Sequence, residues 1–244
     1  MDDWFSLIDS GSAFRARDLQ ALREDGFVII PGPVASDRFS EFADAYDSAV
    51  VGAMPEDISV GSSTTRVQDF VNRRKEFDAL YVYEPILEAC CRIIGQLFKL
   101  STMHARTVRS YTSSQNLHVD FRRDENGWPM VGFILMVDDF RIDNGATRFV
   151  PGSHKWTAPP EDFPDGVSAA SQAEVLACGP AGSVIVYNGS VLHGHSANRT
   201  NKPRRSIQGT YIRRDAEAAV NQASRIKPET LSRISELAKY VLGL

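Results

Sequence analysis

LHVDFRRDENGWPMVGFILMVDDF, residues 117 to 140, contains two apolar runs, LHVDF and MVGFILMVDDF, parted by a cluster of Arg, Asp, Asn, Gly and Pro. Short apolar runs bounded by turn residues read as strands, because a helix needs a longer stripe spaced at three to four. The same texture extends both ways, through STMHARTVRSY (101–111), ATRFVP (146–151), GSVIVYNG (182–189), SVLHGHS (190–196) and RSIQGTYI (205–212). Many short strands with turn signals between them predict a mainly β fold, a sandwich or barrel.

Helices flank this core. ARDLQALREDG (16–26) reads as a short helix stopped by Gly26, and FVIIPG (27–32) as a strand closed by Pro31 and Gly32. Ser36 or Asp37 is placed to cap a helix running to about Val51, with Phe39, Phe42 and Tyr46 on one face. EPILEACCRIIGQLF (84–98) fits a third helix, and PETLSRISELAKYVL (228–242) a last one with a stripe of Leu231, Ile234, Leu237 and Val241. Residues 155–177, with PPEDFPDG inside, are Pro-rich and polar and read as a long surface loop of the kind that lids a site. With no repeat and no linker in its 244 residues, the chain reads as one domain. Its parts are a mostly helical segment to about 99, a β core over about 100–213, and the terminal helix at about 228–242.

A net charge of -4 and a pI near 5.8 give no general attraction to nucleic acid or anionic membranes. No run approaches the ~20 apolar residues of a membrane helix, and the opening MDDWFSLIDSGSAF lacks a basic signal-peptide start. Three cysteines, two of them adjacent at Cys90 and Cys91, make a poor disulfide set. The expectation is a cytoplasmic protein, in which the sequons at Asn188 and Asn198 have no meaning.

In a strand, alternate side chains share a face, so His118 and Asp120 point one way and can chelate one ion. Taken alone, the same pair is what any solvated strand face looks like. Two imidazoles and a carboxylate form the facial triad of non-haem Fe(II) oxygenases, so a third ligand is needed. Of the five histidines, His154 sits in a turn and His104 lies upstream, whereas His193 and His195 share a strand face in SVLHGHS.

HVD, NGATRFVPGSH, LHGHSANRTNKPRRS and the opening LREDGFVIIPG, in this order and spacing, resemble the phytanoyl-CoA dioxygenase family of Fe(II)/2-oxoglutarate oxygenases. The resemblance spans about Leu19 to Arg213. It implies a double-stranded β-helix, the jelly roll of cupin-like proteins, with His118, Asp120 and His193 as iron ligands. It also implies that Arg204, separated from His193 by ten residues, grips the far carboxylate of 2-oxoglutarate. A planar guanidinium matches a carboxylate bidentately where lysine does not.

His195 is open between touching the cosubstrate, supporting a ligand, and replacing His193, which alone gives the family interval to Arg204. Gln115 and Thr147 match positions that contact 2-oxoglutarate in some relatives. Arg205, on the opposite strand face from Arg204, is the structural neighbour. The turn residues of NGATRFVPGSHK and His154 are assigned to the fold.

The implied reaction uses Fe(II), O2 and 2-oxoglutarate, releases succinate and CO2, and hydroxylates an unactivated carbon of a small molecule. Desaturation and epoxidation remain compatible. Halogenating relatives lack the carboxylate ligand, so Asp120 argues against that branch. From Ser62 to Arg123 there are ten basic residues against six acidic. Arg66, Arg106, Arg109 and Arg122 are thereby candidates for binding an anionic substrate, although solvated or paired arginines give the same count. Two other readings stand beside the oxygenase: a cupin-like metalloenzyme that does not use 2-oxoglutarate, and a silent jelly-roll binding module. The sequence carries no code for oligomeric state.

Overall fold

The computed structural model describes residues 2–157 and 173–244. The strands are β1 (Phe27–Pro31), β2 (Ile58–Val60), β3 (Thr64–Val67), β4 (Phe98–Val108), β5 (Met130–Met136), β6 (Thr147–Phe149), β7 (Val175–Ala177), β8 (Ser183–Asn188), β9 (His193–His195) and β10 (Arg204–Arg213). They form an antiparallel major sheet in the order β1-β8-β5-β10-β4-β3-β2 and a minor sheet in the order β7-β6-β9. The result is a jelly roll flanked by helices, as the resemblance implied.

Every residue of β5 and β8 is buried, which explains their unbroken apolar reading: a sheet covered on both faces has no wet phase. Val131, Phe133, Leu135, Val184, Val186, Ile207 and Tyr211 turn outward into a cluster with helix residues such as Phe42, Tyr46, Ile86 and Cys90. Ile134, Met136, Ile185 and Tyr187 turn inward against Phe149, Ala177 and Val191. Each such side chain fully buried stabilises the fold by about 1.5–3 kcal/mol.

The outer helices are α1 (Asp2–Asp9), α2 (Ala16–Glu24), α3 (Phe39–Val51) and α4 (Glu84–Ile94). α4 buries Ile86, Leu87, Ala89, Cys90, Cys91 and Ile94. Its one buried acid, Glu88, accepts from the amides of Ala13 and Phe14 at 2.8 and 3.1 Å. Gly26, at φ +86, ends α2 as expected, since a left-handed residue closes a helix without the strain a side chain adds.

Several expectations are corrected. The third helix stops at Ile94 rather than 98, because Gly95 at φ +65 terminates it and Phe98 already opens β4. Neither Ser36 nor Asp37 caps α3 through its side chain; residues Ser36–Arg38 form a 3-10 turn leading into the helix. The N-terminal part is less helical than read, since β2 and β3 join the major sheet beside β4. The terminal helix is two, α6 (Pro228–Arg233) and α7 (Glu236–Leu242), after a short α5 (Gln222–Arg225). Ile234 is extended, and Ser235 starts α7 by accepting from the Ala238 amide, so Leu231 falls off the stripe and is exposed. The expected loop at 155–177 ends in β7, and residues 158–172 lie outside those described.

Candidate metal centre

LHVDF is not a sheet strand, which corrects the reading of residues 117–121. It touches β9 through one bridge, where His118 and His193 exchange amide hydrogen bonds of 3.0 and 2.9 Å. The chain then bends, because the amides of Asp120 and Phe121 both donate to the Gly189 carbonyl at 2.9 and 3.1 Å. The bridge sets His118 beside His193, and the bend swings Asp120 toward both.

The ligand atoms of His118, Asp120 and His193 lie within 4.8 Å of one another. Each histidine directs Nδ1 to a backbone carbonyl, of Asn116 at 3.2 Å and Val191 at 3.0 Å. A carbonyl only accepts, so both Nδ1 atoms carry a proton and Nε2 is the nitrogen each ring presents to the site. Those Nε2 atoms face Asp120, each 3.7 Å from a carboxylate oxygen. Burial lowers the pKa of His118 and keeps it neutral. Burial works to raise the Asp120 carboxyl, but His193 and the Tyr187 hydroxyl outweigh it and hold the group ionised. Two imidazoles anchored through Nδ1 and a carboxylate suit a divalent transition metal.

Tyr187 was missed by the sequence reading. Its hydroxyl donates to Asp120 Oδ2 at 2.7 Å, and its ring lies 4.9 Å from that of His193. The ring needs Gly132 opposite it on β5, where a Cβ would sit 2.1 Å from the tyrosine. A lone glycine inside an apolar strand is the available signal for such an approach.

Arg204 opens β10 on the inner face and is 1% exposed. It donates to Ser206 Oγ at 3.2 Å and the Gly145 carbonyl at 2.9 Å, and lies over Phe140 at 4.0 Å. Nε is buried without a partner. Burial and the charge of Arg106 bring its pKa down to about 9. Among the described residues no carboxylate pairs with it, so this cation fits an incoming carboxylate.

One cavity of about 260 Å³ is lined by the three candidate ligands together with Arg204, Arg66, Arg106, Gln115, Thr147 and His195. Arg106 donates to Gln115 Oε1 at 2.7 Å and to Gln208 Oε1 at 3.3 Å. His195 stands outside the ligand cluster: Nδ1 meets the Ser196 carbonyl at 2.9 Å and Nε2 meets Ser63 Oγ at 2.9 Å. Burial lowers its pKa to about 4, so it is neutral.

Two candidate arginines sit elsewhere. The Arg109 guanidinium donates to the carbonyls of Gly61 and Ser62 and serves the β2–β3 turn. Arg122 lines a separate hollow of about 590 Å³ on the other side of His118, with Trp156 and Lys155. His154 is buried in its turn with Nε2 on the Arg23 carbonyl at 3.2 Å, a fold role as expected.

A jelly roll with a His-Asp-His cluster inside is the architecture of non-haem iron, 2-oxoglutarate-dependent oxygenases. Residues 22–206 match the model of the family described as phytanoyl-CoA dioxygenase, and the chain belongs to that family. It is 30% identical over 219 residues to the dioxygenase olcK of Penicillium canescens, covering 78% of this chain and 68% of that one. It is 28% identical over 197 residues to the dioxygenase sphC of Aspergillus fumigatus, covering 75% of this chain. It spans about half the length of sphC, 52%. Among solved structures, HygX from Streptomyces hygroscopicus, crystallised with nickel and 2-oxoglutarate, superposes with a TM-score of 0.68 at 17% identity over 84% of this chain and 90% of that one. That likeness extends to the fold.

Proposed function

We propose that the protein is an Fe(II)- and 2-oxoglutarate-dependent dioxygenase that hydroxylates an unactivated carbon of a small molecule, releasing succinate and CO2. His118, Asp120 and His193 hold the iron. When bound, the iron supplies oxygen activation coupled to decarboxylation of 2-oxoglutarate. Arg204 binds the far carboxylate of the cosubstrate, and Gln115, Thr147 and neutral His195 line its berth. Tyr187 holds Asp120 in the orientation that presents a carboxylate oxygen to the metal. Ile134 and Met130 contribute apolar wall to the same cavity.

The observation that carries this reading is the buried Arg204, which forms no ion pair among the described residues and lies in the same cavity as the three proposed ligands. It also favours the oxygenase over a cupin-like metalloprotein without 2-oxoglutarate, which has no use for a buried carboxylate clamp. A silent module has no need of either. Arg66 and Arg106, paired in register across β3 and β4, line that cavity with only the charge of Asp120 nearby and form no ion pair among the described residues, which supports an anionic prime substrate. HygX has also been crystallised with hygromycin B, a precedent for a small-molecule substrate on this fold. No helix among the described residues is long and apolar enough to cross a membrane. The free thiols of Cys90, Cys91 and Cys178 suit a reducing compartment, and we place the protein in the cytoplasm.

The test is aerobic succinate formation from 2-oxoglutarate by the iron-loaded protein. Turnover that survives removal of iron by a chelator, or no turnover with any candidate substrate and no metal uptake, overturns the proposal.

A further inference from the structure

The cavity has a second unsatisfied wall, whose residues the proposed iron and cosubstrate roles leave unused. His104 on β4 stands opposite Gln208 on β10, and both line the cavity. Both ring nitrogens of His104 are out of reach of solvent and have no hydrogen-bond partner. Buried polar atoms are normally satisfied, so unpartnered nitrogens on a side chain that lines a cavity are open to contact by a bound molecule. Gln208 accepts from Arg106 through Oε1 at 3.3 Å, which leaves its NH2 to donate into the space beside His104. Beyond them, Thr102 and Thr210 bond to each other at 3.0 Å.

Along the inner face of β10 the order is Arg204, Ser206, Gln208, Thr210. Gln208, with His104 opposite it, stands four residues from Arg204 on that face, about 13 Å away along the strand. With the cosubstrate assigned to the metal ligands and Arg204, His104 and Gln208 are left for the prime substrate. Burial, with Arg66 and Arg106 nearby, brings the His104 pKa down to about 3, so the ring is neutral, one nitrogen donating and the other accepting. A hydroxyl can donate to the accepting nitrogen or accept from the donating one, and a carbonyl oxygen can accept from the donor.

Arg106 lies two residues further along β4 on the same face, about 6.7 Å away by strand geometry. Arg66 is in register with it on β3. Both arginines also line a neighbouring cleft of about 580 Å³ between the β2–β3 turn and residues 114–116, which gives room for the rest of a substrate.

We propose that the prime substrate is a hydroxy- or keto-carboxylic acid whose neutral oxygen is bound by His104 and Gln208 while its carboxylate lies on Arg66 and Arg106. This rests on the iron and 2-oxoglutarate reading of the same cavity.

The protein loaded with Fe(II) and 2-oxoglutarate under anaerobic conditions should show a visible charge-transfer band, and substrate binding beside the metal should perturb it. The probes are straight-chain acids of four to eight carbons, their 3-hydroxy and 3-oxo derivatives, and the methyl esters of each. We expect at least one oxygenated acid to bind tenfold or more tightly than its parent acid, and its ester to lose most of that affinity. His104→Phe and, separately, Gln208→Leu should erase the tenfold preference with the band and the 2-oxoglutarate affinity retained, and His104→Gln should restore part of it. With the band present, binding by no acid, or a preference that survives both substitutions, overturns this proposal alone. Loss of 2-oxoglutarate affinity in His104→Phe also overturns it, since His104 would then serve the cosubstrate. Absence of the band in the unsubstituted protein removes the underlying reading, and this one with it.

Discussion

Strand β10 carries two consecutive arginines with opposite fates. Arg205, on the outer face, is held by Asp138 at 2.7 Å and by Asp47 at 2.7 Å, so its charge is fully used inside the protein. Arg204, on the inner face, is more deeply buried, has only neutral hydrogen-bond partners among the described residues, and keeps an unpartnered Nε. The contrast holds more widely: Arg213 on β10 and Arg233 at the end of α6 pair with aspartates, whereas Arg66, Arg106 and Arg204 around the cavity form no ion pair among the described residues. Burying a charge without compensation is costly. Arginines gathered around one cavity without a paired carboxylate suit an anionic ligand there.

The strongest way to break this contrast is to remove a ligand. His118→Ala or Asp120→Ala should reduce iron-dependent succinate formation by more than about a hundredfold, beyond the loss typical of residues that merely support a ligand. Activity within a few-fold of the unsubstituted protein would detach the cluster from catalysis.

Next comes Tyr187→Phe, which deletes one hydroxyl and leaves the ring over Gly132. Metal affinity, followed by competition with a coloured chelator, should fall by about 10–100-fold while melting temperature changes little. An unchanged affinity would reduce the 2.7 Å contact to packing.

The arginine pair itself should split. Arg204→Ala should raise the 2-oxoglutarate concentration for half-saturation by roughly 10–100-fold, the value of a charge-assisted hydrogen-bond pair. Arg205→Ala should leave that concentration within about twofold and lower stability by at most about 1 kcal/mol, as for a partly exposed pair. Equal effects would erase the distinction between the faces.

The smallest effect concerns pH. His104 has a folded pKa of about 3, below its unfolded value near 6.5. The unfolded chain therefore binds the extra proton, and the stability tied to neutral His104 is full above about 6.5 and lost as pH falls. Between pH 7 and 5 the loss is at most about 2 kcal/mol. Denaturant unfolding at the two pH values should show a smaller drop in His104→Phe.

The strands were legible wherever one element owned its apolar run, as in β5, β8 and β10. Strands β2 and β3 were not, since Ile58–Val60 is exposed throughout and Thr64–Val67 has no apolar alternation. The break before α7 was hidden because Ile234 and Ser235 keep helical spacing, while the Ser235 cap depends on backbone geometry. His118, Asp120, His193 and Arg204 were legible through their spacing, and they do line one cavity. LHVDF was read as a strand although it makes a single bridge, and the two side chains still meet because the bend at Asp120 replaces strand alternation. Arg109 could not be separated from Arg106 by sequence. Both are basic residues near a strand end, and only the path of the β2–β3 turn decides which one it captures.

Anaerobic titration of the iron-loaded protein with 2-oxoglutarate, followed by the visible charge-transfer band of the chelate, tests the metal ligands and Arg204 together. We expect a saturable band in the unsubstituted protein and in Arg205→Ala, a band needing far more cosubstrate in Arg204→Ala, and none in His118→Ala. An iron-loaded protein without the band, or one whose band ignores Arg204→Ala, would contradict the proposed roles.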